Sequence, residues 1–68
     1  MKTISIVVPC YNEEENVRPL ADALREMFGR DLPEYAYEII FIDNDSQDST
    51  RDIIRSMCAE DKGIKGIF

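Results

Sequence analysis

Two short polar segments carry the side chains that could bind a ligand. Residues 10–16 read CYNEEEN, and residues 44–48 read NDSQD. Tyr11 offers an aromatic face that can stack on a base, and a carboxylate or amide of the second segment can accept a hydrogen bond from a base N–H. Packing of Tyr11 against its own loop is the alternative, and residue chemistry alone leaves both interpretations open.

Asp43, Asp45 and Asp48 invite comparison with a calcium-binding loop. With Asp43 as the first position, Asp48 occupies the sixth, which requires glycine, and Ile54 occupies the twelfth, which requires a bidentate Glu. The calcium pattern therefore fails. Turn formation and helix capping by Asp and Ser account better for Asp45, Ser46 and Asp48 than direct ligand contact does.

Glycine is absent from both polar segments, since the only glycines are Gly29, Gly63 and Gly66. This excludes a P-loop and a GxGxxG dinucleotide turn. The spacing from Gly63 to Gly66 matches a GxxG loop of RNA-binding proteins, but it follows a helical pattern in an acidic chain, which argues against that function.

Composition limits the chain to one small domain. It has 68 residues, of which 44% are hydrophobic, and its 14 acidic and 8 basic residues give a net charge of −6. No cluster of Lys or Arg could follow a phosphate backbone, so we expect no nucleic-acid partner. With two cysteines, no CxxC and no His, a zinc site is also excluded.

The cellular compartment is predicted from the cysteines and from the start of the chain. Spacing alone leaves a disulfide between Cys10 and Cys58 open, but two thiols without a secretory signal favour a reducing compartment. No stretch approaches the roughly 20 apolar residues of a membrane span. We therefore expect the chain itself to be soluble and cytoplasmic.

The first half of the chain predicts a strand followed by a helix. Residues 3–9 read TISIVVP, a β-branched strand that should stop at Pro9. Asn12 is the predicted helix N-cap, with residues 13–15 in the first turn, and Gly29 and Pro33 mark the helix end. Apolar residues at helical spacing form one face of this helix: Val17, Leu20, Ala21, Leu24, Met27 and Phe28.

The second half repeats the pattern. Residues 37–43 read YEIIFID and predict a parallel strand covered on both faces, and residues 64–68 predict a third strand. The helix between them should be capped by Asp48 or Ser49 and terminated by Gly63. Its apolar face contains Thr50, Ile53, Ile54, Met57 and Cys58.

Strand and helix alternate, which predicts an α/β fold with a parallel sheet and right-handed crossovers, a Rossmann-like βαβαβ half domain. Ligands of open parallel sheets bind beyond the carboxyl ends of the strands. The two polar segments follow those ends.

The segments VVPCYNEEENV and EIIFIDNDSQDST together resemble the opening of family 2 glycosyltransferases. The resemblance covers essentially the whole chain. The double Glu after PxYN is most similar to the polyprenyl-phosphate branch, which includes dolichol-phosphate mannose synthases and bacterial lipid-phosphate glucosyltransferases. Residues 1–68 would then be the N-terminal nucleotide-binding part of a catalytic domain, truncated from a larger glycosyltransferase domain.

The resemblance implies a nucleotide-binding role for five residues. Pro9, Tyr11 and Glu13 would line the base and ribose, with Tyr11 against the base, and Ile42 and Asn44 would meet the base from the second strand. Asn44 departs from the Asp of many relatives. Its amide oxygen can still accept from a base N–H, but it brings no charge.

The same resemblance implies a reaction that the chain cannot complete alone. The full-length enzyme would transfer a sugar from a nucleotide diphosphosugar to a polyprenyl phosphate, with inversion, using Mg²⁺ or Mn²⁺ at the cytoplasmic face of the membrane. The metal-binding Asp-x-Asp of relatives follows a later strand, so no catalytic or metal-binding residue is assigned in this chain, and we expect no metal bound by residues 1–68 alone.

Two alternatives come from other functional classes. A receiver-type signalling module also ends parallel strands in Asp, but it needs an acidic pair at the end of the first strand, where this chain has Pro9, Cys10 and Tyr11. A non-catalytic assembly domain would retain only the fold.

Since the related fold places another strand beside the first one, we also expect the isolated chain to self-associate as a homo-oligomer through residues 4–8.

Overall fold

A computed structural model describes all 68 residues and contains three strands and two helices in the order βαβαβ. The predicted α/β fold is therefore confirmed. The elements are β1 (Thr3–Cys10), α1 (Val17–Asp31), β2 (Ala36–Asp43), α2 (Thr50–Glu60) and β3 (Ile64–Ile67).

The three strands form one parallel sheet in the order β1-β2-β3. Thr3 pairs with Ala36 at one end of β1, and Cys10 pairs with Asp43 at the other. β1 and β2 therefore run side by side over their whole length, and their carboxyl ends lie next to each other.

β1 continues through Pro9 to Cys10, so the prediction that Pro9 ends the strand is wrong. The carbonyl groups of Lys2 and Cys10 accept hydrogen bonds from Ala36 and Asn44, which shows that even-numbered residues of β1 direct their backbone groups toward β2. Pro9 therefore faces the outer edge. Proline is tolerated there because its missing N–H removes no bond of the sheet.

α1 begins at Val17 after the N-cap residue Asn16, so the prediction of an N-cap at Asn12 with residues 13–15 in the first turn is wrong. Asn12 has a φ of 50°, and its side chain accepts a hydrogen bond from the Gln47 amide. The four residues before α1 instead form a turn in which the Glu13 carbonyl accepts from Asn16 and Val17.

Neither helix ends at the glycine that the sequence indicates. Gly29 lies inside α1, which ends at Asp31 because Leu32 precedes Pro33 and is disfavoured in helical conformation. α2 ends at Glu60, three residues before Gly63. Both predicted glycine stops are therefore wrong.

The core lies between the two helices and one face of the sheet. Ile39 and Phe41 of β2 and Ile64 of β3 pack on Ala21 of α1 and Ile54 of α2. The opposite face carries no helix, so the prediction of a β2 covered on both faces is wrong for this chain. We call it the open face; its exposed apolar side chains include Val7, Ile42 and Ile67.

Candidate functional site

Two loops meet where β1 and β2 end. The first loop is residues 11–16, and the second loop is residues 44–49. Because Cys10 and Asp43 are partners in the sheet, both loops begin at the same level, and the Asn44 amide donates to the Cys10 carbonyl over 2.9 Å. The polar segments found in the sequence are therefore brought together at one end of the sheet.

A cleft of about 360 Å³ opens at this junction. Four of its five lining residues are ones that the sequence predicts for nucleotide binding. Tyr11 is 54% exposed, so a face of its ring is available to a ligand. The cleft is lined by Pro9, Cys10, Tyr11, Glu13 and Asn44.

Ile42, the fifth predicted residue, lies outside this lining. It is the sheet partner of Pro9 and is exposed on the open face. Ile42 therefore adjoins the cleft through Pro9 but does not form its wall.

Cys10 lines the cleft although sequence reasoning did not include it among the site residues. Its thiol is buried, and its single S–H lies within reach of two carbonyl oxygens, that of Ile42 at 3.6 Å and that of Val8 at 3.8 Å. Burial raises the pKa of this thiol, and the charges of Asp43 and Glu13 raise it further, which disfavours the reactive thiolate form. Its position at a strand end, between two predicted site residues, was the signal available in the sequence.

The cleft offers neutral and acidic groups only. Its polar side chains are the Tyr11 phenol, the Glu13 carboxylate and the Asn44 amide, with no Lys or Arg among the lining residues. An aromatic face with two oxygen acceptors suits the base and ribose of a nucleotide. A diphosphate would lack a counter-charge here.

Asp43 lies directly behind the cleft and is bonded within the protein. Its buried carboxylate accepts from Arg51 Nε over 2.7 Å, from the Ser46 amide over 3.1 Å and from the Ser46 hydroxyl. Burial opposes ionisation of Asp43, but the hydrogen bonds from Arg51 and Ser46 outweigh it and hold the pKa of Asp43 below its usual value.

Turn formation and capping explain the other acidic residues of the second loop, as the sequence predicts. Asp45 adopts a φ of 61° and pairs with Arg51. Ser49 is the N-cap residue of α2 without a side-chain bond, while Asp48 Oδ1 accepts from the Thr50 amide over 3.0 Å. The capping carboxylate is therefore that of Asp48.

Asp43 and the acidic residues of the second loop do not fit a divalent metal. No group of three or more Asp, Glu, Cys or His side chains converges anywhere in the chain. Asp43 is bonded to Arg51 and Ser46, and Asp48 is bonded to Thr50, so their oxygens are already used.

Comparison with known proteins identifies the family of the chain. Residues 5–68 match the model of the family described as glycosyl transferase family 2. The chain belongs to this family. The match includes both loops and every residue that lines the cleft.

Several curated glycosyltransferases are similar to this family 2 chain. The bactoprenol glucosyl transferase of Shigella phage SfV is 40% identical over 58 residues, which cover 85% of this chain and 18% of that protein. Glycosyltransferase AglE of Haloferax volcanii is 36% identical over 52 residues, covering 76% of this chain and 16% of that protein.

A third relative, like the phage enzyme, has a lipid in its name. The dolichyl N-acetyl-alpha-D-glucosaminyl phosphate 3-beta-D-2,3-diacetamido-2,3-dideoxy-beta-D-glucuronosyltransferase of Methanococcus voltae is 37% identical over 57 residues, which cover 84% of this chain and 17% of that protein. The chain thus spans less than a fifth of the length of these three relatives. No solved structure gives a significant match.

Family membership argues against a receiver-type module. The geometry of Asp43 does so too, because a buried carboxylate bonded to Arg51 and Ser46 is not free to accept a phosphoryl group.

The helices are amphipathic and short. The longer one, α1, has 15 residues, and neither could cross a membrane.

Proposed function

We propose that residues 1–68 form the nucleotide-binding part of a longer glycosyltransferase, which transfers a sugar from a nucleotide diphosphosugar to an acceptor. The observation that carries this proposal is the cleft, where Tyr11 and Glu13 of the first loop meet Asn44 of the second. Family membership supports the transfer chemistry.

Four of the five lining residues have a specific part in nucleotide recognition. Tyr11 stacks on the base, and the Asn44 amide oxygen accepts from a base N–H. The Glu13 carboxylate accepts from a ribose hydroxyl, and Pro9 supports the base, while Ile42 extends the apolar surface beside Pro9 at the rim of the cleft. The diphosphate extends away from the cleft, toward residues outside this chain, because no Lys or Arg side chain lines the cleft to neutralise its charge.

The acceptor that we propose is a polyprenyl phosphate. Two of the relatives are named for bactoprenol and for a dolichyl phosphate substrate, which supports a lipid acceptor. A phosphate oxygen is already anionic, so it can attack C1 of the sugar without a strong base, with inversion, as the nucleoside diphosphate leaves. We place the full-length enzyme at the cytoplasmic face of the membrane and residues 1–68 in the cytoplasm.

The full-length enzyme is proposed to use Mg²⁺ or Mn²⁺, which neutralises the charge of the leaving diphosphate. Since the carboxylate of Asp43 is bonded to Arg51 and Ser46 and that of Asp48 to Thr50, we place the metal ligands outside residues 1–68. We also propose that the 68-residue chain self-associates when it is isolated.

Titration of UDP, GDP and CDP against the full-length protein and against residues 1–68 tests the nucleotide-binding function. We expect one of the three to bind the full-length protein clearly better than the others, since Asn44 reads one edge of the base. Residues 1–68 should prefer the same nucleotide with lower affinity. No binding of any of the three by the full-length protein would contradict the proposal.

A further inference from the structure

Four hydrogen bonds connect the first loop to the second loop and to the start of α2; we call them the interloop bonds. The Asn12 amide donates to Ser46 Oγ over 2.9 Å, and the Glu13 amide donates to Thr50 Oγ1 over 2.8 Å. The Glu14 amide donates to Asp48 Oδ2 over 3.3 Å, and the Gln47 amide donates to Asn12 Oδ1 over 2.7 Å. Three consecutive amides of the first loop are thus held by side chains that follow β2.

The two hydroxyl groups in this set have fixed orientations. Ser46 Oγ donates to Asp43 while it accepts from Asn12. Thr50 Oγ1 donates to Asp48 Oδ1 over 2.5 Å while it accepts from Glu13. Each hydroxyl therefore connects a carboxylate behind the cleft to a backbone amide of the first loop.

Burial shows that these two side chains belong to the interior of the site. Thr50 is fully buried, and Ser46 is 8% exposed. Asp43, which orients Ser46, is in turn held by Arg51 Nε over 2.7 Å. The chain of contacts runs from Arg51 through Asp43 and Ser46 to the amide of Asn12.

The backbone of the first loop needs this support. Asn12 has a φ of 50°, in the left-handed region, which is unfavourable for residues with a side chain although Asn tolerates it better than most. Asn12 directly follows Tyr11. If its hydrogen bonds were lost, Asn12 would relax toward negative φ, and the direction of the neighbouring Tyr11 would change.

We propose that Ser46 and Thr50 are positioning residues for nucleotide binding. Their hydroxyls hold the main chain of residues 12 and 13 in the conformation that presents Tyr11 and Glu13 to the cleft. They act through the first loop and do not touch the nucleotide. This inference rests on the proposed function for its affinity readout, but the interloop bonds can be tested separately.

The affinity test uses the full-length enzyme and whichever of UDP, GDP and CDP binds it best. Ser46→Ala and Thr50→Val remove one hydroxyl each and should weaken nucleotide binding about tenfold, measured by calorimetry. Ser49→Ala is the matched control, because Ser49 is exposed in the same loop and its side chain makes no capping bond. Thr50→Ser keeps the hydroxyl and should restore most of the affinity.

A double-variant comparison separates positioning from general damage. In a Tyr11→Ala background the ring is gone, so adding Ser46→Ala should weaken binding much less than it does alone. Full additivity of the two losses would overturn the positioning role. Unchanged affinity in both Ser46→Ala and Thr50→Val would also overturn it.

Amide hydrogen exchange tests the interloop bonds without any nucleotide. Peptides that cover residues 11–16 should exchange faster in Ser46→Ala and Thr50→Val than in Ser49→Ala, while peptides from α1 stay protected. Faster exchange in the two variants, together with no nucleotide binding by the unchanged protein, would support the interloop bonds and contradict the proposed function. Unchanged exchange beside normal nucleotide binding would overturn the inference and leave the proposed function standing.

Discussion

Single residues show which roles could be predicted from the sequence and which could not. Tyr11 stands out in the sequence as an aromatic residue beyond a strand end, whereas Glu13 and Asn44 were predicted from the resemblance to family 2 glycosyltransferases. All three line one cleft. The contact of Thr50 with the first loop was not predicted. A Thr on the buried face of a helix gives no sign that its hydroxyl reaches a loop distant in sequence.

Tyr11→Ala should weaken nucleotide binding by the full-length enzyme by roughly 1–3 kcal/mol, the scale of one base–aromatic stack. The half-exposed ring over the cleft is the reason. Calorimetry with the preferred nucleoside diphosphate measures the loss. Tyr35→Ala is the control, because Tyr35 precedes β2 at the opposite end of the sheet. Equal affinities of Tyr11→Ala and the unchanged protein would remove the stacking role.

Asp43 should make the stability of the fold sensitive to acid. Its pKa is lowered in the folded state, so its contribution is present above the usual Asp value of about 3.9 and is lost as pH falls from there through the lowered pKa. Urea unfolding at a series of pH values measures this loss. Asp43→Asn should flatten the acid limb of the stability curve.

Asp52→Asn is the control for this pH series, since Asp52 is an exposed residue of α2 with one ion pair, to Arg55 over 3.5 Å. It should leave the acid limb nearly unchanged. If the stability of the Asp43→Asn protein fell as steeply in acid as that of the unchanged protein, Asp43 would not be the source of the acid sensitivity.

At the level of elements, the sequence predicted every helix and strand but misplaced several ends. Apolar periodicity reports which residues face the core, and this is why the faces of α1 and α2 were largely confirmed. The start of α1 depends instead on bonds from the first loop to Ser46 and Thr50. Such contacts between distant segments leave no local pattern, so Asn12 looked like an ordinary cap.

Substitution by alanine should change the free energy of unfolding in opposite directions at Gly29, which lies in α1, and at Gly63, which lies in the turn before β3. Gly29 lies in α1 with no atom within 4 Å of an added Cβ, so Gly29→Ala should stabilise the chain by roughly 0.5–1 kcal/mol. A Cβ at Gly63 would lie 2.6 Å from the Tyr37 ring. Gly63→Ala should therefore destabilise it by roughly 1–3 kcal/mol.

Tyr37 cannot easily move away from an added methyl group at Gly63. Its hydroxyl donates to Asp61 over 2.5 Å, and its ring packs on Phe28 with centroids 5.4 Å apart. Urea unfolding midpoints of the two alanine variants give the comparison. A neutral Gly63→Ala would mean that the ring shifts at no cost, in conflict with this packing.

The whole molecule has one covered face, one open face and two edge strands, the longer β1 and the shorter β3. β1 pairs only with β2, so its other side has no partner strand. The alternation of strands and helices predicted a parallel sheet. The apolar sequence of a strand, however, does not distinguish a sheet with one covered face from a sheet with two. That is why the sequence predicted a doubly covered β2.

The isolated 68-residue chain should show no glycosyl transfer. Its cleft suits a base and ribose, and no group of side chains converges to hold the metal of the reaction. Purified chain, free of full-length enzyme, is assayed with nucleotide sugars, lipid phosphate and Mn²⁺. Metal-dependent turnover would contradict this expectation.

Self-association should use the open edge of β1. The backbone groups of Thr3, Ser5 and Val7 point away from β2, since the even-numbered residues bond to it. An apolar edge strand without a charge in its centre pairs readily with another chain. We therefore expect the isolated chain to dimerise through β1, with the open face adding apolar contact.

Sedimentation equilibrium over a wide concentration range tests this dimer, and the structure identifies suitable variants. Ile6 faces the helices, so a charge there would disturb the core. Val7 belongs to the edge strand β1, and its 55% exposed side chain lies on the open face, so Val7→Lys charges the edge strand while sparing the core and should give a monomer. Ile67→Lys changes the open face far from β1 and should leave the dimer largely intact. A dimer that survives Val7→Lys but dissociates with Ile67→Lys would place the contact on the open face instead.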